Sequence, residues 1–113
     1  MQIESIQEYL VHIGGRIWLN VHEVAYFEAC SNYTFVHLHA DSKIIVATNL
    51  GKIEDRVTEL GLFFRPRRGL MVNAQFVKSF DMESILLHNA LKIDVPRRKR
   101  QRVYSHLSSL IQQ

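Results

Sequence analysis

A chain of 113 residues that is 47% hydrophobic can bury a real core without disulfides or metal, so a single domain over residues 1–113 is expected. The net charge of +3 conceals a division, because residues 1–63 sum to −4 and residues 64–113 to +7. No run approaches the roughly 20 apolar residues that cross a bilayer, which excludes a transmembrane role, and Met1-Gln2-Ile3-Glu4-Ser5-Ile6-Gln7-Glu8 is acidic where a secretory leader is basic, so secretion is not expected and a cytoplasmic chain is.

In chain order, residues 8–13 alternate loosely and meet Gly14-Gly15, a dipeptide suited to a hairpin turn because glycine takes positive φ without penalty. Residues 16–21 form the returning strand. Residues 24–28 and 33–39 are rich in β-branched and aromatic side chains, with Ser31-Asn32 as the turn between them. Asp41-Ser42 turns the chain into a strand over 43–47. The single cysteine, Cys30, cannot close an internal disulfide, fits a reducing compartment, and reads as a small buried hydrophobe.

From Thr48 the period changes. Leu50, Ile53, Val57 and Leu60 recur at three- and four-residue steps, opposite Lys52, Glu54, Asp55 and Glu59, which predicts an amphipathic helix on the sheet. Thr48 or Asn49 caps its start, and Gly61 ends it in a left-handed conformation. Its acidic side is an exposed candidate for self-association. Beyond Phe63-Phe64 and a basic cluster come strand-like runs at 70–80, in one or two segments, then at 85–88 and 91–95, with turns at Asp81 and His88-Asn89. The last segment reads as a helix with Val103, Leu107, Leu110 and Ile111 on one face and Pro96 at or just before its first turn. The fold class is therefore β-rich α+β: antiparallel sheets with one amphipathic helix mid-chain and a short helix at the C-terminus.

Catalytic apparatus is not visible. His37 and His39 share a strand face, but no third ligand is spaced to join them, so a polar strand face is preferred over a metal site. Glu54 and Asp55 are adjacent on a helix and diverge by about 100 degrees, so they do not pair for acid–base work. There is no GxSxG, Walker or Rossmann glycine pattern, which leaves a non-enzyme with no cofactor.

The basic residues say more. Eight of the ten that follow Phe63 fall in two clusters, Arg65-Pro66-Arg67-Arg68 and Arg97-Arg98-Lys99-Arg100 with Arg102, and seven of the eight are arginine. A guanidinium forks onto phosphate or onto the O6 and N7 edge of guanine, whereas lysine acts as a point charge. The second cluster sits at a predicted helix N-terminus, where the macrodipole disfavours cations and a phosphate would be welcome. Both clusters point to a polyanion.

The order of elements and the local motifs resemble the LytTR DNA-binding domain of bacterial transcription and response regulators, over about residues 14–110. The likeness rests on Val24-Ala25-Tyr26-Phe27-Glu28-Ala29, Ser31-Asn32-Tyr33-Thr34, the helix after Asn49, Phe63-Phe64-Arg65-Pro66-Arg67-Arg68-Gly69-Leu70-Met71-Val72-Asn73, and Val95-Pro96-Arg97-Arg98. The resemblance implies an elongated, mostly antiparallel fold that binds double-stranded DNA through loops entering successive major grooves. It implies that a first loop presents Thr34 to bases with Asn32 and Tyr33 beside it, a second Arg67 and Arg68, and a third Arg97. Arg65, Arg98, Lys99 and Arg100 would then meet phosphates, while Asn73 holds a loop in shape. Paired direct-repeat sites, a homodimer on DNA, and an upstream receiver or sensor domain absent from this chain are further implications. Where the family usually has His-Arg-Ser this chain has Arg67-Arg68-Gly69, and where it has Ser-Arg this chain has Pro96-Arg97, changes that bear on the preferred base sequence. The alternative from another class is a β-rich interaction module whose basic end docks an acidic protein, RNA or an anionic membrane.

Overall fold

The computed structural model describes residues 10–14, 16–39 and 41–111. A two-stranded hairpin of β1 (Leu10–Gly14) and β2 (Ile17–Asn20) leads into β3 (Val24–Cys30), β4 (Tyr33–Leu38) and β5 (Lys43–Val46). Helix α1 (Leu50–Val57) follows, then β6 (Phe63–Arg67), β7 (Leu70–Asn73), β8 (Val77–Phe80), β9 (Ser84–Leu87), β10 (Lys92–Asp94) and helix α2 (Arg100–Leu110). The main sheet has five strands in the order β5-β4-β3-β7-β6, and a second has three in the order β10-β9-β8; every pairing is antiparallel. The body is a flat slab with extents 38 × 37 × 25 Å.

The five-stranded sheet separates two cores. On one face Val24, Phe27, Val36 and Met71 pack with Ile13 and Val21 and with Leu50, Ile53 and Val57 of α1. On the other, Phe64, Leu70 and Val72 meet Ile85, Leu87 and Ile93 of the small sheet and Val103 and Leu107 of α2. Strand β7 is buried along its whole length, so Leu70 and Val72 serve one core and Met71 the other. Each fully buried aliphatic or aromatic side chain of this kind contributes roughly 1.5–3 kcal/mol of burial.

Helix α1 begins where the Asn49 side chain accepts from the Lys52 N–H at 2.9 Å, tightens into a 3-10 turn over Thr58–Leu60, and stops at Gly61 with φ 68°. The strand-like run over 70–80 is broken by a second 3-10 turn, Ala74–Phe76, and the same device appears earlier as Val21–Glu23. Both turns open on an asparagine: Asn20 accepts from His22 N–H at 3.0 Å and Asn73 from Gln75 N–H at 2.9 Å. Asp81 closes the β8–β9 turn by accepting from the N–H groups of Glu83 and Ser84, each at 2.8 Å, and these bonds hold its carboxyl below the usual carboxylate range.

Three expectations need correction. Residues 63–67 form a strand, although no strand is expected in the segment that holds Arg65, Pro66 and Arg67; β6 is an edge strand with an irregular register between Phe64 and Arg67, where a proline's missing N–H removes no ladder bond. Cys30 is exposed, because the last three residues of β3 run past both cores. Leu110 is 39% exposed, since the buried stripe of α2 is completed by Val103 and Leu107 and extended by Ile111.

Candidate nucleic-acid interface

Antiparallel pairing brings two of the sequence-predicted loops to one end of the main sheet. Glu28 pairs with Leu70, and one step further the Ala29 N–H donates to the Gly69 carbonyl at 2.9 Å. The Ser31-Asn32 turn, with Ser31 at φ 57°, therefore lies beside the Arg68-Gly69 turn. The second basic cluster joins them through α2, which packs on β6: Arg65 shares one groove with Lys99 and Arg102.

Within this end, the arginines divide into exposed and anchored. Arg67, Arg68, Arg97 and Arg98 are exposed. Arg65 instead pairs through Nη1 with Glu54 at 2.8 Å and through Nη2 donates to the Arg68 carbonyl, which ties the β6–β7 turn to α1. Arg100 donates through Nε to the Val95 carbonyl at 2.9 Å, fixing the approach to α2. Arg97–Lys99 form a 3-10 turn ahead of α2, whose start has no side-chain cap and no acidic residue in its first turn. The turn supplies backbone acceptors to its own donors, Lys99 N–H to the Pro96 carbonyl at 2.9 Å and Arg100 N–H to the Arg97 carbonyl, so it is the exposed cations of Arg97 and Arg98 that suit the segment to an anion.

The first loop differs from its expected form. Thr34 is fully buried and its hydroxyl donates to the Thr48 carbonyl at 2.6 Å, so it faces the core with Val36 and cannot present itself to a base in this arrangement. Its neighbours Asn32 and Tyr33 are exposed, Tyr33 at 49%. Replacing Thr34 by valine keeps the shape and leaves the Thr48 carbonyl without its partner, and a loss of about 1–2 kcal/mol in urea unfolding is expected; an unchanged midpoint would show that the bond holds nothing.

Asn73 is fully buried, and its Nδ2 donates to the Val24 carbonyl at 2.9 Å and the Val21 carbonyl at 3.4 Å. Other side chains on the sheet are occupied as well. His37 bonds Glu28 at 2.9 Å and stacks on Tyr26 at 4.1 Å, and burial and the Glu28 carboxylate push the Tyr26 phenol up. Sequence reasoning did not single out Lys52 and Arg56, which line a hollow with Asn32 and Asn49 beside the first turn; they lie four apart on α1, and only the hairpin's return toward the helix start brings them there.

Comparison with known proteins agrees with this geometry. The LytTr DNA-binding domain family matches residues 14–108. Among solved structures, the LytTr DNA-binding domain of a methyl-accepting/DNA response regulator from Bacillus cereus superposes with a TM-score of 0.66 at 17% identity, covering 88% of this chain and 96% of that one. No curated protein matches by sequence. With the family match spanning nearly the whole domain and the solved structure agreeing in fold, the chain belongs to the LytTr DNA-binding domain family.

Proposed function

We propose that this chain binds double-stranded DNA sequence-specifically and serves bacterial transcriptional regulation, without catalysis or cofactor. The observation that carries the reading is the meeting, at one end of the five-stranded sheet, of the Ser31-Asn32 turn, the Arg68-Gly69 turn and the basic segment at Arg97–Lys99. In this reading the exposed Arg67, Arg68 and Arg97 address base edges in the major groove, and Tyr33 and Asn32 take the place first given to Thr34. Arg98 and Lys99 meet phosphate. Arg65 and Arg100, already bonded within the protein, are positioning residues: one holds the turn that carries Arg68, the other the segment that carries Arg97.

The family likeness supports two copies on paired direct repeats, association as a homodimer on DNA, and work in the cytoplasm under a receiver or sensor domain. A single-strand or RNA surface has less support. Tyr26 is stacked on His37, and Phe35 lies under the Lys43 ammonium at 4.6 Å, which leaves Tyr33 as the open ring of that strand.

Capture of random duplex DNA at near-physiological salt with excess nonspecific competitor, followed by sequencing, tests the proposal. A recovered motif repeated about one helical turn apart is expected; an unenriched pool would reduce the activity to generic polyanion binding. With the motif in hand, Arg98→Ala or Lys99→Ala is expected to weaken every duplex alike and to lower the slope of log affinity against log salt by about 1. An unchanged slope would remove that residue from the phosphate contacts.

A further inference from the structure

Arg65, Lys99, Arg102 and His106 line a groove of about 390 Å³ between β6 and α2, floored by Phe64 and Val103. The volume falls within the range of small-ligand sites, roughly 300–1,000 Å³. None of the lining residues is a carboxylate. Glu54 reaches Arg65 from α1, and among the described residues the only other ion pair is His37 with Glu28, so the charges of Lys99 and Arg102 stand without a counter-ion. Beneath these cations lies an apolar surface, where the Phe64 and His106 rings sit 6.0 Å apart at 55°. A DNA phosphodiester would engage the charged heads and leave that floor unused. A small molecule carrying both an anionic group and a ring would use both.

We infer that this groove is a binding site for a small organic anion, a phosphate or carboxylate on an aromatic body, with the acid group on Lys99 and Arg102 and the ring over Phe64 and Val103 beside His106. Arg65 makes the site consequential. Its guanidinium is shared between the Glu54 carboxylate and the Arg68 carbonyl, so an anion in the groove competes with both for it. Occupancy therefore reaches the Arg67-Arg68-Gly69 turn through one side chain. The inference stands whether or not the chain binds DNA.

The test is a backbone amide NMR titration of the full chain with phenyl phosphate, inorganic phosphate and benzyl alcohol as separate probes. Phenyl phosphate is expected to bind saturably, about tenfold more tightly than either of the others, since neither can use both the cations and the apolar floor. The amides of Val103 and His106 should move, and those of Arg68 and Gly69 with them. Arg102→Gln, at an exposed position, is expected to weaken phenyl phosphate about tenfold while leaving the thermal midpoint unchanged. Equal affinity for inorganic phosphate would reduce the groove to a patch of cations and overturn the site. So would the absence of saturation at millimolar concentration, or an affinity indifferent to Arg102→Gln. Shifts confined to Val103 and His106 would overturn the coupling to the turn.

Discussion

Replacing Arg67 and Arg97 together by alanine is expected to lower the preference for a selected duplex over a scrambled one by about 3 kcal/mol, on the order of a hundredfold. Both side chains are exposed, one at the end of β6 and the other in the 3-10 turn before α2, and neither makes an ion pair or hydrogen bond among the described residues. They are therefore free to fork onto base edges, and their removal leaves no buried group unsatisfied, so the fold should be retained. Competition between the two duplexes at one fixed salt concentration measures the effect. The conservative variant sharpens it. Arg97→Lys keeps the charge and loses the planar fork, so it should hold the salt slope near that of the parent while discrimination falls. If the double alanine variant weakens both duplexes equally, the two arginines touch only backbone, and the reading of base sequence lies elsewhere.

How far such a prediction can be made from sequence depends on which physical signal each residue carries. The period of Leu50, Ile53 and Val57 is a strong signal because a helix facing one core leaves no freedom in spacing, and Gly61 marks its end through a φ of 68° that other residues resist. Strand β4 is ambiguous by the same logic. Its alternation can be hung on Tyr33, Phe35 and His37 or on Thr34 and Val36, and the aromatic set looks the more hydrophobic. The core takes the other set, because the Thr48 carbonyl satisfies the Thr34 hydroxyl, a bond between residues 14 apart that no local pattern announces. Pro66 hid β6 for a related reason: a proline argues against a strand until one knows the strand is an irregular edge. The two arginine clusters were visible as charge. That Arg65 and Arg100 are bonded inward while Arg67 and Arg97 point outward was not visible, because it depends on the Glu54 carboxylate and on the Arg68 and Val95 carbonyls, which only the fold brings near.

Asn73→Ala is expected to reduce stability by about 3 kcal/mol, because it strips a partner from three backbone groups at once and leaves a void between the sheet and its connections. The carbonyls of Val21 and Val24 lose the Nδ2 donor, and the Gln75 N–H loses the Oδ1 acceptor. One side chain thereby joins the two 3-10 turns, reaching across 52 residues of sequence from Asn73 to Val21, and it does so from the strand that begins at the Arg68-Gly69 turn. Asn73→Asp separates this role from simple packing. The carboxylate fits the same space and still accepts from Gln75, but it can donate to neither carbonyl and is pressed, charged, against both. Burial and those two dipoles raise its folded pKa above the unfolded value. The folded state then binds the extra proton more readily than the unfolded chain, so the variant should gain stability relative to the parent as pH falls through that raised pKa and lose it again as pH rises. Urea unfolding of parent, Ala and Asp chains near neutrality and in mild acid measures both effects. An alanine variant within a few tenths of a kcal/mol of the parent would mean that the turns are held by the surrounding core alone, and an aspartate variant indifferent to pH would mean that water reaches the site.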